Sequence, residues 1–258
     1  MNINYFKVVI AVMAACLFTS ASALASETDG RIESSARESY VFKTYLNNDA
    51  INIQSVDGVV TLTGTVAEES HKSLAKETVA NLPGVKSVDD QLVIKGERPA
   101  ENSNMWIGMK VKTALLFHRN VNAFKTEVDV KDGVVTLKGE ASSQAQKDLA
   151  GEYAKDVDGV KDVKNEMTLA KVPDNKGQTL GEKIDDASIT AQVKVALLFH
   201  RSTSAISTKV ATSYGVVTVS GIAKNDAEKA LVSKLVNDIK GVTSVVNNMT
   251  VKDPASKN

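Results

Sequence analysis

Apolar positions change their spacing in a fixed order along the chain, and that order occurs three times. In the last third, Ile189, Val193, Ala196 and Leu197 fall at i, i+4, i+7 and i+8, one face of an amphipathic helix. Asp185 or Asp186 can cap its start, because a carboxylate there accepts the free first-turn N–H groups. The same spacing gives Ile107, Val111, Ala114 and Leu115 in the middle third, and Ile32, Ala36 and Tyr40 in the first. The period then drops to two. A short strand (Val128, Val130) precedes a glycine turn, and a longer one follows with Val135 and Leu137 on one side and Val134 and Thr136 on the other. A second helix buries Leu74, Val79 and Leu82, matched by Leu149, Ala154 and Val157 and by Leu231, Val236 and Ile239. A last strand carries Val88, Leu92 and Ile94, matched by Val163, Met167 and Leu169 and by Val245, Met249 and Val251.

The repeats are also legible as motifs. Asp57-Gly58-Val59-Val60-Thr61-Leu62-Thr63-Gly64 recurs from Asp132 to Gly139 and from Tyr214 to Gly221, at offsets of 75 and 82 residues. Those offsets place Gly84, Gly159 and Gly241 at one shared position, where each reads as the stop of the second helix. Gly58, Gly133 and Gly215 read as the turn between the strands, where a positive φ is tolerated. With Gly64, Gly139 and Gly221, all nine read as structural turn glycines. The predicted class is α+β: three tandem α-β-β-α-β modules, each a three-stranded sheet with two helices on one face. The boundaries are 30–95, 104–171 and 184–252, with polar linkers at 96–103 and 172–183 and a tail at 253–258.

Helix, Gly-Val-Val-Thr-Leu-x-Gly, helix, Gly-Val-x-x-Val and a closing strand resemble the BON domain, a module of bacterial osmotically inducible and nodulation proteins. The resemblance covers nearly all of the chain after its first 25 residues, three times over. It implies the α-β-β-α-β fold, a periplasmic address and a non-enzymatic role in envelope integrity under osmotic stress. It further implies peripheral contact with phospholipid membrane surfaces, or chaperone-like contact with unfolded outer-membrane proteins. The chain departs from the two-module members of that family by having three modules, and by a divergent first helix in module 1.

Composition narrows the reading. The 31 basic and 31 acidic residues cancel, so no global field draws in nucleic acid. Net charge is −2 over 35–95, +1 over 104–171 and +3 over 184–252, which makes module 3 the better candidate for lipid phosphates. Residues 1–25 read as a signal peptide: Lys7, an apolar run from Val8 to Phe18, and Ala23-Leu24-Ala25 as the cleavage site. Processing as a lipoprotein at Cys16, the only cysteine, is the alternative.

No phosphate loop, dinucleotide fingerprint, paired-cysteine site or serine elbow occurs, so catalytic, metal and cofactor residues are all expected to be absent. His118 and His200 share one repeat position at the end of the first helix and are expected to lie far apart. Arg119 and Arg201 follow them, either answering the exposed helix carbonyls or meeting lipid phosphates. Asp90, Asn165 and Asn247 are expected to satisfy nearby backbone groups. The back of the first helix carries a second apolar stripe: Trp106, Met109, Leu116 and Phe117 in module 2, and Val195, Leu198 and Phe199 in module 3. A single core needs one stripe, so the second is a contact surface. Two readings stay open: packing of module 2 on module 3 or simply a fully buried helix, or else an interface for lipid or unfolded clients with Trp106 as anchor. A structural adaptor, in which module 1 recruits a partner, is the alternative to the binding protein.

Overall fold

The predicted helices and strands form, except that the first helix of module 1 breaks at Ser39 and the second helices end before Leu82, Val157 and Ile239. The structure is a computed structural model that describes residues 27–96, 99–121, 123–170, 183–203 and 208–252. The proposed signal peptide, Cys16, residues 172–182 of the second linker and the tail lie outside the described residues. Module 1 contains α1 (27–38), α2 (Tyr40–Thr44), β1 (Ala50–Val56), β2 (Val59–Val66), α3 (Glu69–Ala80) and β3 (Ser87–Ile94). Module 2 contains α4 (Asn104–Phe117), β4 (Thr126–Lys131), β5 (Val134–Ala141), α5 (Gln144–Lys155), β6 (Asp162–Asn165) and β7 (Thr168–Leu169). Module 3 contains α6 (Asp186–Phe199), β8 (Thr208–Ser213), β9 (Val216–Ala223), α7 (Asp226–Asn237) and β10 (Ser244–Val251).

In every module the middle strand pairs antiparallel with the strand before it and parallel with the one after it, as a strand–helix–strand crossover requires. The parallel register is the same throughout: Val59 faces Ser87, Val134 faces Asp162 and Val216 faces Ser244. β6 and β7 are one last strand interrupted at Glu166 and Met167, and both pair with β5. Val60 and Leu62, Val135 and Leu137, and Val217 and Val219 are all fully buried under the two helices of their modules.

The hairpin turns hold two consecutive positive φ angles: 51° and 79° at Asp57-Gly58, 52° and 82° at Asp132-Gly133, 51° and 75° at Tyr214-Gly215. That is the turn whose twist matches paired strands. A side chain at the head of each first helix clasps it. Asp29 accepts from Asp57 N, Gly58 N and the Ser55 hydroxyl, Asp186 from Tyr214 N and Gly215 N, and Asn104 from Gly133 N. The Ser55 hydroxyl and the Gly58 N–H hold the Asp29 carboxyl below its usual range. The helix-start residue thus fixes the turn of its own module, a link that hydrophobic spacing does not reveal.

Two expectations need correction. Gly64, Gly139 and Gly221 are not turn residues but lie inside β2, β5 and β9. A Cβ on Gly64 would stand 1.9 Å from the Ala50 carbonyl oxygen, and one on Gly139 would stand 2.0 Å from that of Lys125. Gly84, Gly159 and Gly241 do not end the second helices either. These helices stop at Ala80, Lys155 and Asn237, and one further turn intervenes before each glycine. In modules 2 and 3 that extra turn is the docking element described below.

The helices turn inward and the sheets outward. α3 packs along α6, and α4 meets both α6 and α3. One continuous core therefore runs through modules 1 and 3, and Phe117 of module 2 belongs to it. The Phe117 ring lies 5.5 Å from that of Tyr45 in module 1. Module 1 reaches module 3 through a break in its first helix at Ser39. The restart leaves free N–H groups, which module 3 accepts: Tyr40 N donates to Asp185 Oδ2 and Val41 N to Ser188 Oγ. Lys194 and Glu77 pair at 2.8 Å beside them.

Candidate functional site

Much of the second apolar stripe joins modules, with Phe117, Val195 and Phe199 in the shared core and Leu116 packed against it. Met109, Phe117, Val195 and Phe199 are buried, so an approaching surface does not meet them. Trp106 and Leu116 are half-buried, and Leu198 is 52% exposed. Helices α4 and α6 need two apolar stripes because each packs on its own sheet and on neighbouring modules.

Modules 2 and 3 join reciprocally. The residues after α4 dock on the turn after α7, and the residues after α6 dock on the turn after α5. Arg119 N donates to Asp238 O and Lys240 N to Phe117 O; in the mirror half, Arg201 N donates to Asp156 O and Asp158 N to Phe199 O. His118 bridges to Ile239 and Val157 to His200 as antiparallel pairs. The Arg119 guanidinium donates to the carbonyls of Asn237, Ile239 and Val242, and that of Arg201 to the carbonyls of Val157 and Val160. These arginines therefore answer exposed carbonyls, as their place suggested, but the carbonyls belong to the other module.

The expectation that the two histidines lie apart is corrected. His118 and His200 line one small cavity of about 20 Å³ between the modules, with Tyr153, Asp156 and Phe199 in its wall. That volume holds about one water. The His118 ring stacks on Tyr153 at 3.5 Å and 1°. Burial pushes His118 down to about 4 and also lowers His200. Burial, helped by the Asp238 carboxylate, pushes Tyr153 up to about 12. His118 Nδ1 and His200 Nε2 are buried without a hydrogen-bond partner. Repeat arithmetic placed the two histidines at equal positions; only the reciprocal docking brings those positions together. His71 is separate, with Nδ1 2.5 Å from Asp49 Oδ2 in module 1.

The shared polar position on the last strand satisfies backbone. Asp90, Asn165 and Asn247 accept from Leu92 N, Met167 N and Met249 N. Asn165 and Asn247 also donate to carbonyls of α5 and α7, at Lys147 and Lys229.

Module 1 lacks the docking device. Pro83 stands where Asp158 and Lys240 donate their N–H groups, and Thr44 stands where Arg119 and Arg201 reach across. Asp158→Pro should therefore uncouple modules 2 and 3 while leaving module 2 folded, because module 1 closes the same turn with proline. The exchange rates of the Arg201 and Lys240 amides would read this, rising at least about tenfold while the β5 amides stay protected.

What faces solvent is the outer side of the sheets, and it is uneven. In module 1 it carries Asn52, Gln54, Val56, Val59, three threonines, Gln91 and Val93, with Asp89 as its one charge. In module 3 it carries Val216, Thr218, Ile222, Val246 and Asn248, with Lys209 as its one charge. In module 2 charges dominate: Glu127, Asp129, Lys131, Lys138, Glu140, Asp162, Lys164 and Glu166. Among the described residues, no group of three or more His, Cys, Asp or Glu side chains is arranged to hold a metal ion, and no helix is long and apolar enough to cross a membrane.

The chain is similar in sequence to known proteins. The chain is 30% identical over 193 residues to osmotically-inducible protein Y of Escherichia coli, covering 75% of this chain and 93% of that protein. It is 32% identical over 116 residues to a 21 kDa hemolysin of Actinobacillus pleuropneumoniae, covering 44% of this chain and 59% of that protein. A solved C-terminal domain of CdsD, a structural protein of the Type III secretion system of Chlamydia trachomatis, aligns over 86% of this chain and 96% of its own, at 16% identity and a TM-score of 0.23. The BON domain pattern matches at 28–96, 103–171 and 185–253, and the chain therefore belongs to the BON domain family, with three copies of the module.

Proposed function

We propose that this is an exported, periplasmic binding protein that protects the cell envelope under osmotic stress, without catalysis, by holding unfolded outer-membrane proteins. The relation to osmotically-inducible protein Y supports the stress role and the periplasmic address, and the pattern of residues 1–25 supports export with cleavage after Ala25. The observation that carries the binding mode is the outward turn of the sheets in modules 1 and 3. Their faces are nearly uncharged and present valine, threonine and asparagine in register, which suits extended, alternating segments of a β-barrel chain. Two such faces on one body raise the effective concentration of the second contact once the first has formed. Support for a non-enzymatic role comes from membership of the BON domain family and the relation to osmotically-inducible protein Y.

A phospholipid surface is the second reading. A groove of about 350 Å³ between α3 and α6 has Lys76 and the Lys194–Glu77 pair beside the half-exposed Leu198, which offers a cation and an apolar side chain to an anionic amphiphile. The likeness to a protein named a hemolysin leans the same way.

The test is light scattering from an outer-membrane barrel protein diluted out of urea with the full chain. Val59→Glu with Val93→Glu should lose most of the protection, while Val134→Glu on the charged face of module 2 should retain it. Equal protection by all three proteins would remove the sheet faces from the function. Co-sedimentation with anionic vesicles over a salt series separates the lipid reading, which predicts binding that weakens as salt rises.

A further inference from the structure

We infer that the reciprocal joint between modules 2 and 3 is an acid-opened latch, whose protonation parts the joint and uncovers the apolar residues that line it. Its use for client capture rests on the binding function proposed above; its opening does not. The latch is built from two imidazoles contributed by different modules, both lining one cavity that has room for about one water. His118 Nδ1 is buried there without a hydrogen-bond partner, so a proton added to it finds no acceptor, and His200 Nδ1 accepts from Ser202 N, so that ring gains a charge only by giving up this bond.

The charged and titratable surroundings favour that reading. His118 lies against Tyr153 of α5, the backbone of Asp238 after α7, Lys240 and His200. The Lys240 ammonium is held close by its bond to the Leu116 carbonyl and opposes a second positive charge. Arg119 and Arg201, fixed on carbonyls across the joint, add two further cations. The acids present are Asp238, whose carboxylate accepts from Tyr153, and Asp156, 3.9 Å from His200 Nε2 and half-exposed. Asp156 favours a charged His200, but burial outweighs it.

The sign follows from linkage. In the closed joint His118 takes up a proton only near pH 4, whereas in the open joint it does so near 6.5. The open form therefore binds more protons between those values, and closure is lost as pH falls from about 6.5 toward 4. For His118 alone the opening constant should rise about thirtyfold between pH 7.5 and pH 5. Opening would expose Phe199, Val157 and Ile239, which line the cavity.

Amide exchange on the full chain tests this, corrected for the intrinsic effect of pH. The Arg119, Asp158, Arg201 and Lys240 amides cross the joint, and their exchange should rise about thirtyfold at pH 5 while the β2 and β9 amides change little. In a His118→Phe, His200→Phe variant the rise should fall below about threefold. If that variant does not fold, His118→Gln alone gives the same comparison. Three results would each overturn the latch: joint amides equally protected at both pH values, a rise shared by the sheet amides, or a rise undiminished in the variants. Failure of the barrel-protein assay at pH 7.5 would count against the proposed function and leave the latch standing.

Discussion

Phe117→Ala is expected to destabilise the whole chain by about 3–5 kcal/mol, although it alters a single module. The ring is fully buried, and the loss combines its transfer free energy with a cavity that rigid helix ends cannot close. Its location makes the effect global. Phe117 ends a helix of module 2 but packs in the core shared by modules 1 and 3, against Tyr45. Calorimetry should show the main transition falling by about 10 °C, with modules 1 and 3 shifting along with module 2. Val128→Ala, at a partly buried position within the core of module 2, is the contrast and should act mainly on that module. If modules 1 and 3 unfolded at an unchanged temperature in Phe117→Ala, the continuous core would be refuted.

Gly64→Ala should cost about 3 kcal/mol or more, and Gly139→Ala the same. Both glycines have φ near 113°, at 114° and 112°, a region closed to side chains. The added methyl would also collide with a carbonyl oxygen of the neighbouring strand, and backbone cannot yield as a flexible side chain does. Gly30→Ala is the control. Its Cβ meets nothing within 4 Å, and in α1 the change should stabilise by about 0.5–1 kcal/mol. Urea denaturation of the three variants reads both signs. A Gly64→Ala protein as stable as the parent would show that β1 does not approach β2 this closely.

Much of the module was legible in the sequence, because burial alone dictates it. Val60, Leu62, Leu74 and Val79 alternate or recur as their elements demand, and all are buried. The repeat offsets then transferred that reading to modules 2 and 3. The assembly was only half legible. The second stripe on α4 and α6 announced a contact surface, but apolar residues are non-directional and do not name what covers them. The hydrogen bonds do name it, and they link residues 118 and 120 positions apart, as Arg119 is from Asn237 and Ile239. No local pattern encodes such a pairing. Pro83 was the one available clue: an imino acid in one copy where the other two carry amides hints that those amides have work beyond their own turn.

A contact that two look-alike halves make with each other is complete once made, and has no free end from which to grow. Modules that carry it can therefore only be consumed two at a time. In a chain with an odd number of them, one must be excused, and Pro83 excuses the first. Pro83 thus keeps the spare copy out of a hazard common to tandem duplications, in which interchangeable copies find partners in neighbouring chains and link molecules into aggregates.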